Sequence, residues 1–423
     1  MSAEPVPTAD DLRTLLARRP YALFLAGRSC GSLATTTQAV VLGWEVYETA
    51  RQTMSVPEAS LVVGLIGLAQ FLPLAALTLV AGEAADRHDR RRLLALCLTA
   101  QLLTAAGLAV RSHLGGGLEP IFALAALFGC ARAFAMPTSS ALGPMLVPPA
   151  LLPRAIATNT LAFQVSAVVG PALGGALCAI SAAAGYAACA GLYAAGAACA
   201  LSIRADTRPV VEPGQSRAAQ IREGLGYLWH SKLVLGAISL DLFAVLLGGA
   251  TALLPVFARD VLEVGPRGFG VLRAAPAVGA LIVAVCLSLR PIRSRVGVKM
   301  LLSVGLFGLM TVVFAYSRWP ALSVVALAVL GGADMVSVFT RQSLVQIGTP
   351  DRMRGRVAAL STLFIGASNE LGEFESGLVA RFLGPVGSVA FGGAGAMAVT
   401  ALWAWLFPPL RKIDRLGHGP SGL

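Results

Sequence analysis

Apolar runs long enough to cross a lipid bilayer follow one another along almost the whole chain, with only short charged connections between them. Twelve can be drawn, at about 21–47, 58–82, 93–112, 118–138, 156–180, 183–203, 233–258, 268–290, 298–316, 320–346, 356–382 and 385–407, against the roughly 20 apolar residues a spanning helix needs. The longer ones imply tilt or extension past the bilayer. Hydrophobic residues make up 56% of the chain and charged ones 13%, where soluble domains carry about 25% charge. A soluble core cannot bury that much apolar surface, so the predicted class is an all-α polytopic membrane protein.

A net charge of +11 in a soluble chain suggests nucleic acid. Here the lysines and arginines sit between apolar runs, so no nucleic acid is expected and the lipid bilayer is the partner. Alternate connections carry twenty-three of them. The intervening ones carry only Arg51, Arg111, Arg259, Arg267, Arg318 and Arg381. The positive-inside rule then places both termini in the cytoplasm. The first twenty residues are polar, with Arg13, Arg18 and Arg19, and no cleavable signal peptide is expected. All seven cysteines lie in apolar runs, which reads as packing, without a disulfide framework or metal site.

The polar stretch 204–232 divides the chain into 1–203 and 233–423. Pro209, Pro213 and Gly214 mark its first part as a linker. In 217–230, Ile221, Leu225 and Leu228 share one face of a predicted amphipathic helix on the inner membrane surface, with Trp229 at headgroup level. A shift of 202 positions pairs Pro148 with Pro350, Arg154 with Arg356, Gly170 with Gly372 and Gly175 with Gly377. The two halves are therefore expected to be repeats.

Between the second and third runs stands Gly82-Glu-Ala-Ala-Asp86-Arg87-His-Asp89-Arg90-Arg91-Arg92. It resembles the G-x-L-A-D-R-x-G-R-R loop of the major facilitator superfamily. Gly82, Ala85, Asp86, Arg87, Arg90 and Arg91 match, Ala84 replaces the leucine and Asp89 the second glycine. A generic basic loop is the alternative. Three further stretches resemble a bacterial subgroup that includes the enterobactin exporter and macrolide efflux permeases: Gln38-Ala-Val-Val-Leu-Gly-Trp44-Glu-Val-Tyr47, Arg354-Gly-Arg356-Val, and Ser368-Asn369-Glu370-Leu-Gly372-Glu373-Phe-Glu375-Ser-Gly377. The resemblance implies twelve helices in two pseudo-symmetric six-helix bundles that rock about a central site. It also implies an inner latch from Asp86 to Arg354 and Arg356. The equivalent loop in the second half, 290–299, lacks the aspartate, so the latch is expected on one side only.

Gly170-Pro171-Ala-Leu-Gly174-Gly175 is similar to an element of exporters in the superfamily, and it is also a small-residue face for close helix packing. Arg132 lies more than a turn inside the fourth run, where an arginine costs roughly 2.5–3.5 kcal/mol on insertion scales. Its position resembles an arginine near the proton carrier of proton-driven exporters, and snorkelling is the alternative for it and for Arg28. The acids inside apolar runs are Asp241, Asp334, Glu370, Glu373 and Glu375, and a carboxyl group in such surroundings can exchange protons near neutral pH. Asp334 and Arg341 are alternatively a structural pair. Gln38, Gln70, Gln101, Asn159, Gln164 and Asn369 suggest a cavity for a solute of mixed polarity.

The expected function is proton-coupled efflux of a small amphipathic molecule by a monomer in the bacterial inner membrane, without a cofactor. A nutrient importer of the same fold is the alternative. A membrane enzyme is remote: His88, His113, His230 and His418 lie in connections, tails or run ends, and no P-loop occurs.

Overall fold

The computed structural model describes residues 9–207, 217–290, 292 and 294–414, and the linker stretch 208–216 lies outside them. After a short α1 (Ala9–Ala17) come α2 (Arg19–Ala50), α3 (Val56–Arg87), α4 (Arg90–Leu114), α5 (Glu119–Met145), α6 (Leu152–Cys178), α7 (Ala182–Ser202), α8 (Arg217–His230) and α9 (Lys232–Leu247). A 3-10 turn (Ala250–Leu253), a single turn α10 (Leu254–Val256) and a π-helical segment (Phe257–Val261) lead to α11 (Gly265–Leu289). Then follow α12 (Val296–Tyr316), α13 (Pro320–Gly348), α14 (Asp351–Leu406) and α15 (Pro408–Lys412).

Among the described residues, ten helical stretches are long and apolar enough to cross a membrane. One of them, 364–406, makes two passes. Gly384 adopts φ 72°, a value open to glycine, and Pro385 follows it. The Ser388 hydroxyl donates to the Ser376 carbonyl at 2.7 Å. Twelve residues of straight helix would separate these by about 18 Å, so the chain reverses there. α2 is long enough at 32 residues, but Arg28 and a run of serines and threonines dilute it. With both, the architecture is consistent with twelve crossings.

Two compact units form. The first holds the described residues of 1–41 and 72–213, around Tyr21, Phe24, Leu98, Phe128 and Tyr193. The second holds those of 42–71 and 214–423, around Leu240, Met300, Val304, Leu344 and Trp403. Helices such as α4 are apolar all round, because one face packs and the other meets lipid. Leu94, Leu98 and Leu108 are buried, whereas Leu96, Leu103 and Val110, seven apart, are exposed.

Two expectations are corrected. The run at 233–258 is not one helix. Adjacent Gly248 and Gly249 interrupt it, and Pro255 lacks an amide hydrogen to continue it. The α8 helix forms as expected, but Leu228 does not lie on lipid. It is buried with Val234, Ile238, Val345, Met353 and Val357, because that apolar cluster is open to it from within the protein. The Tyr227 hydroxyl donates to the Gly348 carbonyl at 2.6 Å, and Glu223 pairs with Arg356. Leu225 and Trp229 remain exposed.

Candidate functional site

In the first unit, α2 meets α6 along glycines. A Cβ at Gly170 would overlap the Thr36 hydroxyl, and one at Gly174 would lie 2.8 Å from the Thr37 carbonyl. Thr36 donates to the Ser166 carbonyl at 2.9 Å and Thr37 to the Gly170 carbonyl at 3.2 Å. Pro171 and Gly175 are buried on the same helix. Arg28 donates to the Ser139 hydroxyl on α5. The Arg132 guanidinium stands 6.0 Å from the centre of the Phe128 ring, one turn earlier on α5. Gln38 is 1% exposed, and its amide has no hydrogen-bond partner among the described residues.

The charged loop is tied down locally. Gly82 and Ala85 are buried on α3, while Asp86 and Arg87 are exposed. Asp86 pairs with Arg90 at 3.7 Å and Arg87 with Glu83 at 2.6 Å. Arg90 also donates to the Ala141 carbonyl of α5 at 3.3 Å, and Arg91 to the Ile203 carbonyl. Asp89, the departure from the motif, is the N-cap of α4, accepting from the amides of Arg91 at 3.0 Å and Arg92 at 3.4 Å. The Thr207 hydroxyl donates to it at 2.6 Å. Burial opposes ionisation of Asp89, but the Thr207 hydroxyl, those two amides and the Arg91 guanidinium outweigh it and hold the carboxyl below the usual range. Across the same relation in the second half, the amide of Arg295, ahead of α12, donates to the Asp414 carboxylate at 3.0 Å. Arg354 donates to the Gln346 carbonyl at 3.1 Å.

In the second unit, Asp241 on α9 and Arg341 on α13 form a buried ion pair. Asp241 meets the guanidinium directly from the neighbouring helix, and Asp334, seven residues before Arg341 on α13, interacts electrostatically with both.

The richest polar cluster lies at the interruption after α9. Gly249 is pressed on α14, where a Cβ would collide with the Ser376 hydroxyl and the Gly372 carbonyl. A Cβ at Gly372 would lie 2.9 Å from the carbonyls of Val245 and Leu246. Arg273 on α11 donates to the Thr251 carbonyl at 2.6 Å, satisfying a backbone acceptor that the broken helix leaves open, and pairs with Glu373 on α14 at 3.5 Å. A Cβ at Gly67 of α3 would lie 3.1 Å from the Glu373 carboxylate. Glu370 and Asn369 lie one turn before Glu373. Asn369 is exposed and Glu370 half-buried. Beyond the interruption, Asp260 accepts from Tyr47 and pairs with Arg51 at 3.6 Å, Arg259 pairs with Glu48 at 3.0 Å, and Trp44 stacks on Phe269 at 6.0 Å. Trp44 and Tyr47 of one stretch that resembles the exporter subgroup, and Gly372, Glu373 and Ser376 of another, thus meet the chain around the interrupted helix.

The sequence profile of the transmembrane secretion effector family matches residues 18–421. The chain belongs to this family. As a secretion effector it is an efflux transporter of the major facilitator type. The chain is 29% identical to the enterobactin exporter EntS of Escherichia coli O139:H28 over 371 residues, 85% of this chain and 86% of that one. The EntS of Escherichia fergusonii matches equally. Among solved structures, the fold is similar to a POT family transporter crystallised with a thioalcohol-conjugated peptide, with TM-score 0.73, 12% identity and coverage of 93% of this chain and 97% of that one. It is also similar to a bacterial homologue of the human lysosomal transporter Spinster in an inward-facing, unoccupied conformation, with TM-score 0.68, 13% identity and coverage of 93% and 96%.

For a secretion effector, the residue that sequence reasoning missed is Arg273. It lies less than two turns inside the expected start of its run at 268, so it reads as part of the connection. The usable signal was an arginine within reach of the bilayer with no acid in its own run, set against a run holding three acids.

Proposed function

We propose that the protein is a proton-coupled exporter of a small amphipathic molecule, a drug or a siderophore, working by alternating access in the bacterial inner membrane. It acts as a monomer with both termini in the cytoplasm. The observation that carries this reading is the pair of acid–base contacts set into membrane-spanning helices of one unit, Asp241–Arg341 and Glu373–Arg273. Ionised side chains at that depth are costly and are kept where charge moves. The likeness to an exporter, the enterobactin exporter EntS, supports export as the direction of transport. Asp241, Asp334, Glu370 and Glu373 are the candidates for proton exchange, with Arg132 and Arg28 as modulators, and Gln38 and Asn369 as solute contacts. Asp86, with Arg354 and Arg356, forms the inner latch in one state of the cycle.

The test is a bacterial strain lacking the gene, screened for toxic compounds it accumulates and for metabolites it no longer secretes. Wild-type protein restores efflux, and Glu373→Gln and Asp241→Asn restore it poorly. Growth that depends on the protein for an external solute would instead establish an importer.

A further inference from the structure

The interruption in the seventh crossing is an unusual place for a guanidinium. Gly248 and Gly249 end α9, and further on Pro255 has no amide hydrogen to offer the Thr251 carbonyl one turn before it. Arg273 donates to that carbonyl with one nitrogen, and the other nitrogen faces Glu373. Glu373 is itself held on a close-packed ridge: Gly372 beside it lies on the backbone of α9, and Gly377 one turn on lies on the backbone of α3. The segment that follows the interruption is a π-helical turn, a geometry frequent at functional sites. It carries the Arg259 and Asp260 that hold Glu48, Arg51 and Tyr47 at the end of α2.

We propose that Arg273 is a positioning residue for transport: it holds the interrupted stretch 248–261 in place through Thr251 only while Glu373 is charged, so loss of that charge frees the stretch and, with it, the Arg259 and Asp260 contacts to α2. The charged groups facing Glu373 support a single control point. Arg273 faces it from α11, Gly64 and Gly67 present no charge from α3, and the stretch 245–253 carries none. Glu370 and Glu375 are its neighbours on α14. A fork-shaped guanidinium can serve a carbonyl and a carboxylate together, and an ammonium cannot do so at fixed geometry. The inference rests on the proposed role of Glu373 in coupling.

The test is hydrogen–deuterium exchange of the full-length protein in lipid nanodiscs, read on peptides covering 245–262. Glu373→Gln raises exchange there by about tenfold, the loss expected for a charge-assisted bond. Arg273→Gln does the same, and Arg273→Lys lies between it and wild type. The double variant exchanges like Arg273→Gln alone, since the two residues act in series. If Arg273→Gln does not fold, Glu373→Gln and Arg273→Lys decide. Wild-type exchange in Glu373→Gln, or additive effects in the double variant, overturns the proposal. If exchange follows the expected pattern while vesicles show no proton coupling, the positioning role stands and the proton reading fails. If coupling is found and exchange is unmoved, only the positioning role fails.

Discussion

The same helix contact is built twice, with different chemistry. Gly170 and Gly372 are 202 positions apart, and each brings its helix against the backbone or threonines of the first helix of its half. In the first unit that partner, α2, runs on unbroken, and neutral threonine hydroxyls bind the α6 carbonyls. In the second, α9 stops, and a charged arginine takes the open carbonyl. At each place a glycine fixes how closely the helices approach. What occupies the polar groups at the contact is free to diverge, and the divergent copy is the one that gathers the ion pairs.

The largest effect separating the copies lies on the charged side. Asp241→Ala should destabilise the protein by about 3–5 kcal/mol, because it leaves Arg341 buried without its carboxylate. Replacing both residues by apolar ones of similar volume should cost much less. Thermal unfolding of purified protein checks this, and an equal loss in the double variant would contradict it.

Next come the glycines. Gly170→Ala and Gly372→Ala should each cost about 1–3 kcal/mol through overpacking. Thr36→Ala should recover part of the loss at Gly170, since a hydroxyl is the nearest obstacle there. No side-chain change should rescue Gly372→Ala, because the obstacles are the carbonyls of Val245 and Leu246. Rescue of both, or of neither, would break the distinction.

A smaller effect sharpens the comparison at the inner loops. α4 is capped by Asp89 from its own loop, whereas the amide before α12 is met by Asp414 from the far end of the half. Asp89→Ala should cost about 0.5–2 kcal/mol at neutral pH. The native carboxyl ionises more readily than in the unfolded chain. Its contribution is therefore full above the ordinary aspartate value of 3.8 and fades as pH falls through the lowered native one. The stability gap between variant and wild type should shrink in acid, and a gap that widens would contradict the capping role. The smallest effect belongs to Glu48→Gln, since its pair with Arg259 is partly exposed and worth about 0–1 kcal/mol.

Much of the fold was legible because the bilayer imposes a length on each crossing. The gap between the runs drawn at 356–382 and 385–407 falls where the chain reverses, at Gly384-Pro385. The interruption at Gly248-Gly249 could not be read, since the apolar run continues through it and the chain holds 46 glycines. What sets these two apart is tertiary: Gly249 lies against the Ser376 hydroxyl and Gly372 carbonyl of α14, and Gly248 against the Phe307 ring of α12. The pairing of Arg341 with Asp241 was hidden for the same reason, because position along one helix says nothing about the helix opposite. Asp89 looked like a defect in the motif and is a cap, accepting from the amides of Arg91 and Arg92 at the start of its own helix, with the Thr207 hydroxyl added from farther along the chain.

The most direct test of the account is proton movement during transport by the purified protein in liposomes, with a screened cargo and an imposed pH gradient. Wild-type protein should move cargo against its gradient while protons run down theirs, and Glu373→Gln and Asp241→Asn together should abolish the coupling. Cargo movement that ignores the pH gradient, or full coupling in that double variant, would contradict it.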